Sequence, residues 1–218
     1  MGYMDPIKAT VLATRIISSV HPGLAAKLEL APHHRSLALI TCDIDDALYV
    51  SLDEATKMAE VDVVYAKSFY AGAAHASGPL SGEIIGILAA PDPAEARSGL
   101  NAAVAYVEEQ AHFTSANADD SLAFFAHTIS RTGRYLSKEA GVAEGEPLAY
   151  LIAPPLEATF ALDAALKSAE VEMQVWFAPP SETNFAGGLL TGSQSACRAA
   201  CAAFADAVLD VASNPNKV

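Results

Sequence analysis

The chain has 218 residues, 52% hydrophobic and 18% charged, which suits one large core or two smaller ones. Thirteen Lys and Arg against 26 Asp and Glu leave a formal charge of −13. That balance excludes the concentrated basic surface that nucleic-acid binding needs and argues against an anionic membrane surface as partner.

No apolar run approaches the ~20 residues of a membrane helix. The opening MGYMDPIKAT has no basic segment leading into a long apolar one, so no signal peptide is expected. Three cysteines, Cys42, Cys197 and Cys201, cannot make a disulfide framework and point to a reducing, cytoplasmic setting. Alanine occurs 45 times against one Trp, so elements are expected to pack closely on small side chains.

In chain order, KATVLATRIISS at 8–19 reads as a strand rich in β-branched residues. A short helix over 22–30 follows, then the strand SLALITCD and a helix from about Asp46 to Glu60. The strand VDVVYAKSF, a loop over 71–78 and the apolar strand GEIIGILAA come next. A helix begins near Asp92, with Pro93 and Glu95 in its first turn. After 112–118, the expected boundary, the second half runs in parallel. Its strand SLAFFAHTISR and short helix YLSKEAG lead to the strand PLAYLIA and the helix LEATFALDAALKSAE. The strand VEMQVWFA, the loop PPSETNFAG, the strand GLLTG and a helix from Ser193 complete it. Core-facing stripes are predicted at Leu48, Leu52, Ala55 and Ala59 and at Leu162, Ala165, Leu166 and Ala169.

The order of elements repeats, and so do residues. LDEATKMAEVD at 52–62 and LDAALKSAEVE at 162–172 share seven of eleven positions at an offset of 110, among them Asp53/Asp163 and Lys57/Lys167. A period this long, occurring twice, excludes a solenoid. Two tandem α+β domains, 1–112 and 113–218, are expected, each a mixed or antiparallel sheet flanked by helices. An oligomer of such chains can imitate twice as many subunits.

Short motifs give little chemistry. TGSQSA at 191–196 lacks the second glycine of a nucleophile elbow, so Ser193 reads as a helix cap. A Ser193 hydrolase would further need a His and an acid placed by the fold. Gly187, Gly188 and Gly192 lack a phosphate-loop pattern and read as close backbone approach. Cys197 and Cys201 read as packing, and His33-His34 as an exposed polar loop. Asp43, Asp45 and Asp46 resemble the start of a calcium loop, but Leu48 stands where its glycine belongs. Asp45 or Asp46 could cap the following helix. Three carboxylates within four residues exceed what a cap needs, and they suit a cationic ammonium ligand.

HHRSLALITCDIDDALYVSLDEATK, VVYAKSFYAGAAH, ISRTGRYLS, AYLIAPPLEATFALDAALKSAEVE and LTGSQSACRAACAAF together resemble the bacterial microcompartment shell family. The similarity is to its tandem-domain, ethanolamine-utilisation type, and it covers both halves nearly end to end. The resemblance implies two circularly permuted shell domains per chain, no catalytic residues, and a homotrimer that mimics a hexamer within the shell. Its partners would be other shell proteins and small polar metabolites. It also implies a gated central pore. The matching segments are Phe69, Tyr70, Ala71, Gly72, Ala73, Ala74, His75, Ala76 and Ser77, and Phe177, Pro179, Pro180, Ser181, Glu182, Asn184, Phe185 and Gly187. Acidic small pores would bind ethanolamine through Asp45, Asp46, Glu83 and Glu157, with Thr183 and the backbone near Phe113 as further partners. No cofactor or metal is required, and cobalamin is a larger ligand the resemblance allows. Because Pro154-Pro155 stands near the place of Asp45-Asp46 in the second half, one pocket per chain is expected. The rival reading is an ethanolamine-binding sensor that forms no sheets.

Overall fold

A computed structural model describes residues 2–68, 84–119, 121–179 and 185–216. The chain forms two compact units. The N-terminal unit comprises Lys8–Ala111 together with Gly133–Leu136. The C-terminal unit comprises the residues up to Ile7, His112–Thr132, and the chain from Ser137 onward.

In the N-terminal unit β2 (Val11–Ile17), β3 (Ser36–Cys42), β4 (Asp62–Ser68) and β5 (Ile84–Ala90) form a sheet in the order β2-β3-β5-β4. Its described pairs are antiparallel. The helices are α1 (Pro22–Lys27), α2 (Asp45–Met58) and α3 (Pro93–Glu109). The C-terminal unit repeats the plan with β7 (Ala123–Ile129), β8 (Leu148–Ala153), β9 (Val171–Phe177) and β10 (Ala186–Gly192), ordered β7-β8-β10-β9. Its helices are α4 (Arg134–Ala140), α5 (Pro155–Ser168) and α6 (Gln194–Ser213). Helices α2 and α5 start and end 110 residues apart, so the sequence repeat is a repeat of structure.

Two strands were not expected. β1 (Pro6–Lys8) and β6 (His112–Ser115) extend the C-terminal unit's sheet to six strands, β1-β6-β7-β8-β10-β9. The single strand read at 8–19 therefore divides. The break lies at Ala9-Thr10, where Thr10 N–H donates to Asp43 Oδ1 (2.6 Å) and Asp43 N–H donates to Thr10 O (3.2 Å). The first residues then pair elsewhere: Met4 N–H donates to Ser115 O (2.9 Å) and Ser115 N–H donates to Asp5 O (3.0 Å).

Small side chains let the layers approach. The C-terminal core is built on Ala149, Ala161, Ala165, Ala200 and Cys197 around the bulky Phe204. At Gly187 a Cβ would lie 1.9 Å from Leu151 O, so the tight pairing of β10 on β8 admits no side chain there. The stripes predicted on α2 and α5 face inward at Leu48, Leu52, Ala55, Leu162 and Ala165, which are all buried. Ala59, Leu166 and Ala169 are only partly buried.

The first turn of α4 belongs to the N-terminal unit, and one side chain holds it there. Asp53, wholly buried on α2, accepts from Gly133 N–H through Oδ2 and from Leu136 N–H through Oδ1, both at 2.8 Å. Thr56 Oγ1 accepts from Arg134 N–H (3.0 Å) and donates to Asp53 O (2.8 Å). These bonds satisfy amide groups that a helix start leaves without partners. Gly133 is required: its Cβ would lie 2.3 Å from Thr56 Oγ1 and 2.6 Å from Asp53 O. Burial pushes the Asp53 carboxyl upward against the opposing pull of the two N–H groups and of Lys57.

Asp53→Asn offers one acceptor oxygen where two are used, and leaves an amide facing a buried N–H. The expected cost is about 2 kcal/mol, read as a fall of about 4–8 °C in Tm by calorimetry. Asp163→Asn, on the exposed counterpart, should leave Tm within about 1–2 °C of the parent.

Candidate functional site

The acidic cluster lies where β3 enters α2. Asp43 is engaged with Thr10, and Ile44, in an extended conformation, is the capping residue with no side-chain cap. Neither Asp45 nor Asp46 is the cap, contrary to the expectation for such residues. They fall in the first helical turn instead, where the positive end of the helix dipole favours carboxylates. Both are buried, and Asp46 N–H donates to Asp45 Oδ1 (2.9 Å). One turn on, Tyr49 Oη accepts from Ser68 N–H (3.1 Å) and lies 3.2 Å from Ser68 Oγ. This pair ties α2 to the last residue of β4, where the first expected gate segment begins. The Tyr49 ring also stacks on Tyr135, centroids 6.4 Å apart.

Other expected ligand residues belong to the C-terminal unit. Phe113, on β6, is buried and packs between Phe125 and Phe185, centroids 5.2 and 5.9 Å away. Glu157 is partly buried in the first turn of α5. Glu83 and Thr183 lie outside the described residues, as do Phe69–Ser77 and Pro180, Ser181, Glu182 and Asn184. Of the second segment, Phe177 ends β9 and pairs with Gly187 on β10. Pro179 is exposed and Phe185 partly buried. Fifteen residues separate β4 from β5, and eight separate β9 from β10.

No family model matches the chain. A shell protein named EutL from Clostridium perfringens is 66% identical over 211 residues, covering 97% of each chain. The crystal structure of ethanolamine utilization protein EutL from Leptotrichia buccalis superposes with a TM-score of 0.97 at 61% identity, covering 99% of this chain and 100% of that one. The chain belongs to the EutL family of bacterial microcompartment shell proteins. A trimeric shell protein, PduB, shares the fold alone, with a TM-score of 0.76 at 19% identity over 94% of this chain and 89% of its own.

EutL proteins are structural shell components, not enzymes, and the residues that suggested chemistry have structural work here. Ser193 caps α6, its Oγ accepting from Ala196 N–H (3.1 Å). Cys197 and Cys201 are buried packing residues, with Thr128 Oγ1 donating to Cys201 Sγ (3.3 Å). Burial drives the Cys201 thiol up to about 11 and that of Cys42 to about 12, and raises that of Cys197. Among the described residues no helix is long and apolar enough to cross a membrane.

The expectation of an exposed His33-His34 pair fails in part. His33 is exposed, but His34 is buried, because its ring turns inward to reach Asp62, with Nε2 3.1 Å from Oδ2. Residue type in a short Pro-flanked loop carried no signal of that turn. Asp53 was also missed as a structural residue, although its place in the repeat could have marked it.

The raised thiol values mean that thiolate is scarce at pH 8, and burial denies access to reagent. An aromatic disulfide reagent should label none of the three cysteines in folded protein, and all three after unfolding in guanidinium.

Proposed function

We propose that this chain is a tile of an ethanolamine-utilisation microcompartment shell in the cytoplasm. Three copies close into a pseudohexameric ring around a gated opening for small polar metabolites. The observation that carries the ring is an asymmetry between the two repeats. In the N-terminal unit Asp46, Val50 and Asp53 of α2 are buried, with the first turn of α4 seated on Asp53. Their counterparts on α5, at the offset of 110, are Leu156, Phe160 and Asp163. Leu156 is 64% and Phe160 52% exposed, and Asp163 merely pairs with Lys167.

Helix α1 is the counterpart of α4, with Gly23 matching Gly133, and none of its residues is buried. Both halves of one contact are therefore present in each chain, in places that a second copy would fill. Docking α1 of one copy on α5 of the next would set Gly23 against Asp163 as Gly133 sits against Asp53, with Gly23 N–H turning from His21 Nδ1 (3.1 Å) to the carboxylate. Such a contact is head-to-tail and closes a ring when the rotation permits. The trimeric state of the PduB shell protein supports closure at three. The ring would then contact other shell proteins at its rim.

The acidic first turn of α2 is proposed to hold the ammonium group of ethanolamine, with Asp45 and Asp46 accepting charge-assisted hydrogen bonds. Glu83, Glu157, Thr183 and the backbone near Phe113 are the further partners in this reading. The segments 69–77 and 177–187 form the gate. A ligand shifts the gate only by its differential affinity for the two states.

In sedimentation velocity the parent chain should run as a trimer, and the double variant Leu156→Asp, Phe160→Asp as a folded monomer. A variant that remains trimeric would overturn the α1–α5 contact. In calorimetric titration Asp45→Asn should weaken ethanolamine binding about 10–100-fold, the loss of one charged hydrogen bond, with trimer and Tm retained. Unchanged affinity in Asp45→Asn and Asp46→Asn alike would remove the α2 pocket.

A further inference from the structure

We propose that His33, His34 and Asp62 form a binding site for a first-row divalent metal of the zinc type. His33 and His34 lie in the loop before β3, and Asp62 opens β4. One donor atom from each lies within 4.8 Å of the others. The shell role of the chain uses none of the three.

Four observations make this more than a surface cluster. The His34 side chain is almost wholly buried, 4% exposed, while Asp62 remains 42% exposed, so the group is anchored on one side and open on the other. His34 Nε2 is the nitrogen that faces the carboxylate, 3.1 Å from Asp62 Oδ2, and is the ligating atom in this arrangement. The His33 ring lies beside that of His34, tilted by 53°, with ring centroids 4.1 Å apart. Asp62 is oriented from behind: Arg134 Nε donates to its Oδ1 (3.0 Å), which leaves Oδ2 toward the imidazole. Such outer partners are what fix a ligating carboxylate in metal sites.

The donor set decides the metal. Two imidazoles and one carboxylate suit zinc, nickel, cobalt or copper, whereas magnesium and calcium take oxygen ligands. Ligating histidines must be neutral. Burial, and then the neighbouring His33, hold the His34 imidazole below its ordinary value, outweighing the opposing pull of Asp62. Bonds of about 2.0–2.1 Å in a tetrahedron place donors about 3.3 Å apart, so the group must close by up to about 1.5 Å. The exposed His33 has the freedom to supply that movement. Arg134 limits affinity by its charge, and water would complete the shell. The bound metal would clip the loop before β3 to the start of β4.

The test is titration of the chelator-stripped, full-length protein with zinc chloride, followed by calorimetry and by the Tm shift. Cobalt substitution provides a visible absorption band. The expected result is a site whose affinity falls at least tenfold in both His33→Ala and Asp62→Asn, with the zinc-induced rise in Tm lost in each. Magnesium should produce neither signal. His33→Ala is exposed and leaves the fold intact, so its result does not depend on the stability of Asp62→Asn. No zinc uptake by the parent chain, or a loss below tenfold in either variant, overturns the site.

Discussion

The Asp53 carboxylate sets the terms for the rest of the molecule. It is wholly buried and accepts the N–H groups of Gly133 and Leu136. Through these bonds a short segment from the second half of the sequence becomes part of the N-terminal unit. A buried carboxylate is costly unless its oxygens are satisfied, so the arrangement is all-or-none. It needs a helix start to supply free amides, a glycine to allow the approach, and an α2 face with nothing else to cover it. The same aspartate recurs at Asp163, where it is exposed and paired only with Lys167. A contact made once within the chain and left open once is what a head-to-tail ring requires.

Much of the fold was legible in the sequence. The 110-residue offset maps α2 onto α5 end to end, because buried stripes such as Leu52/Leu162 and Ala55/Ala165 keep the same register. The four-strand order recurs as well. What the sequence concealed was long-range. β1 and β6 are three and four residues long, too short for alternation to stand out from background. The break at Thr10 depends on Asp43, 33 residues away. The burial of His34 depends on Asp62 across the sheet. Each is decided by a tertiary partner that no local window contains.

The candidate site was legible in part. Three carboxylates in four residues marked the start of α2, and the resemblance to shell proteins supplied a ligand of suitable charge. Their exact duties were not readable. Asp43 braces the strand break, while Asp45 and Asp46 sit in the first turn behind an uncapped Ile44. Fusion of two repeats lets one chain differ between its halves. Where α2 begins with an acidic turn, α5 has Pro155 and Leu156 at the offset of 110, and fifteen residues follow β4 where eight follow β9. A ring of identical single domains could carry only one version of each feature.

The central claim is that one chain holds both halves of a contact that closes on three copies. Native mass spectrometry of the full-length protein tests it most directly. The account predicts a single assembly near 68 kDa, three times the 22.7 kDa chain. A protein that remains a 22.7 kDa monomer at micromolar concentration would contradict it.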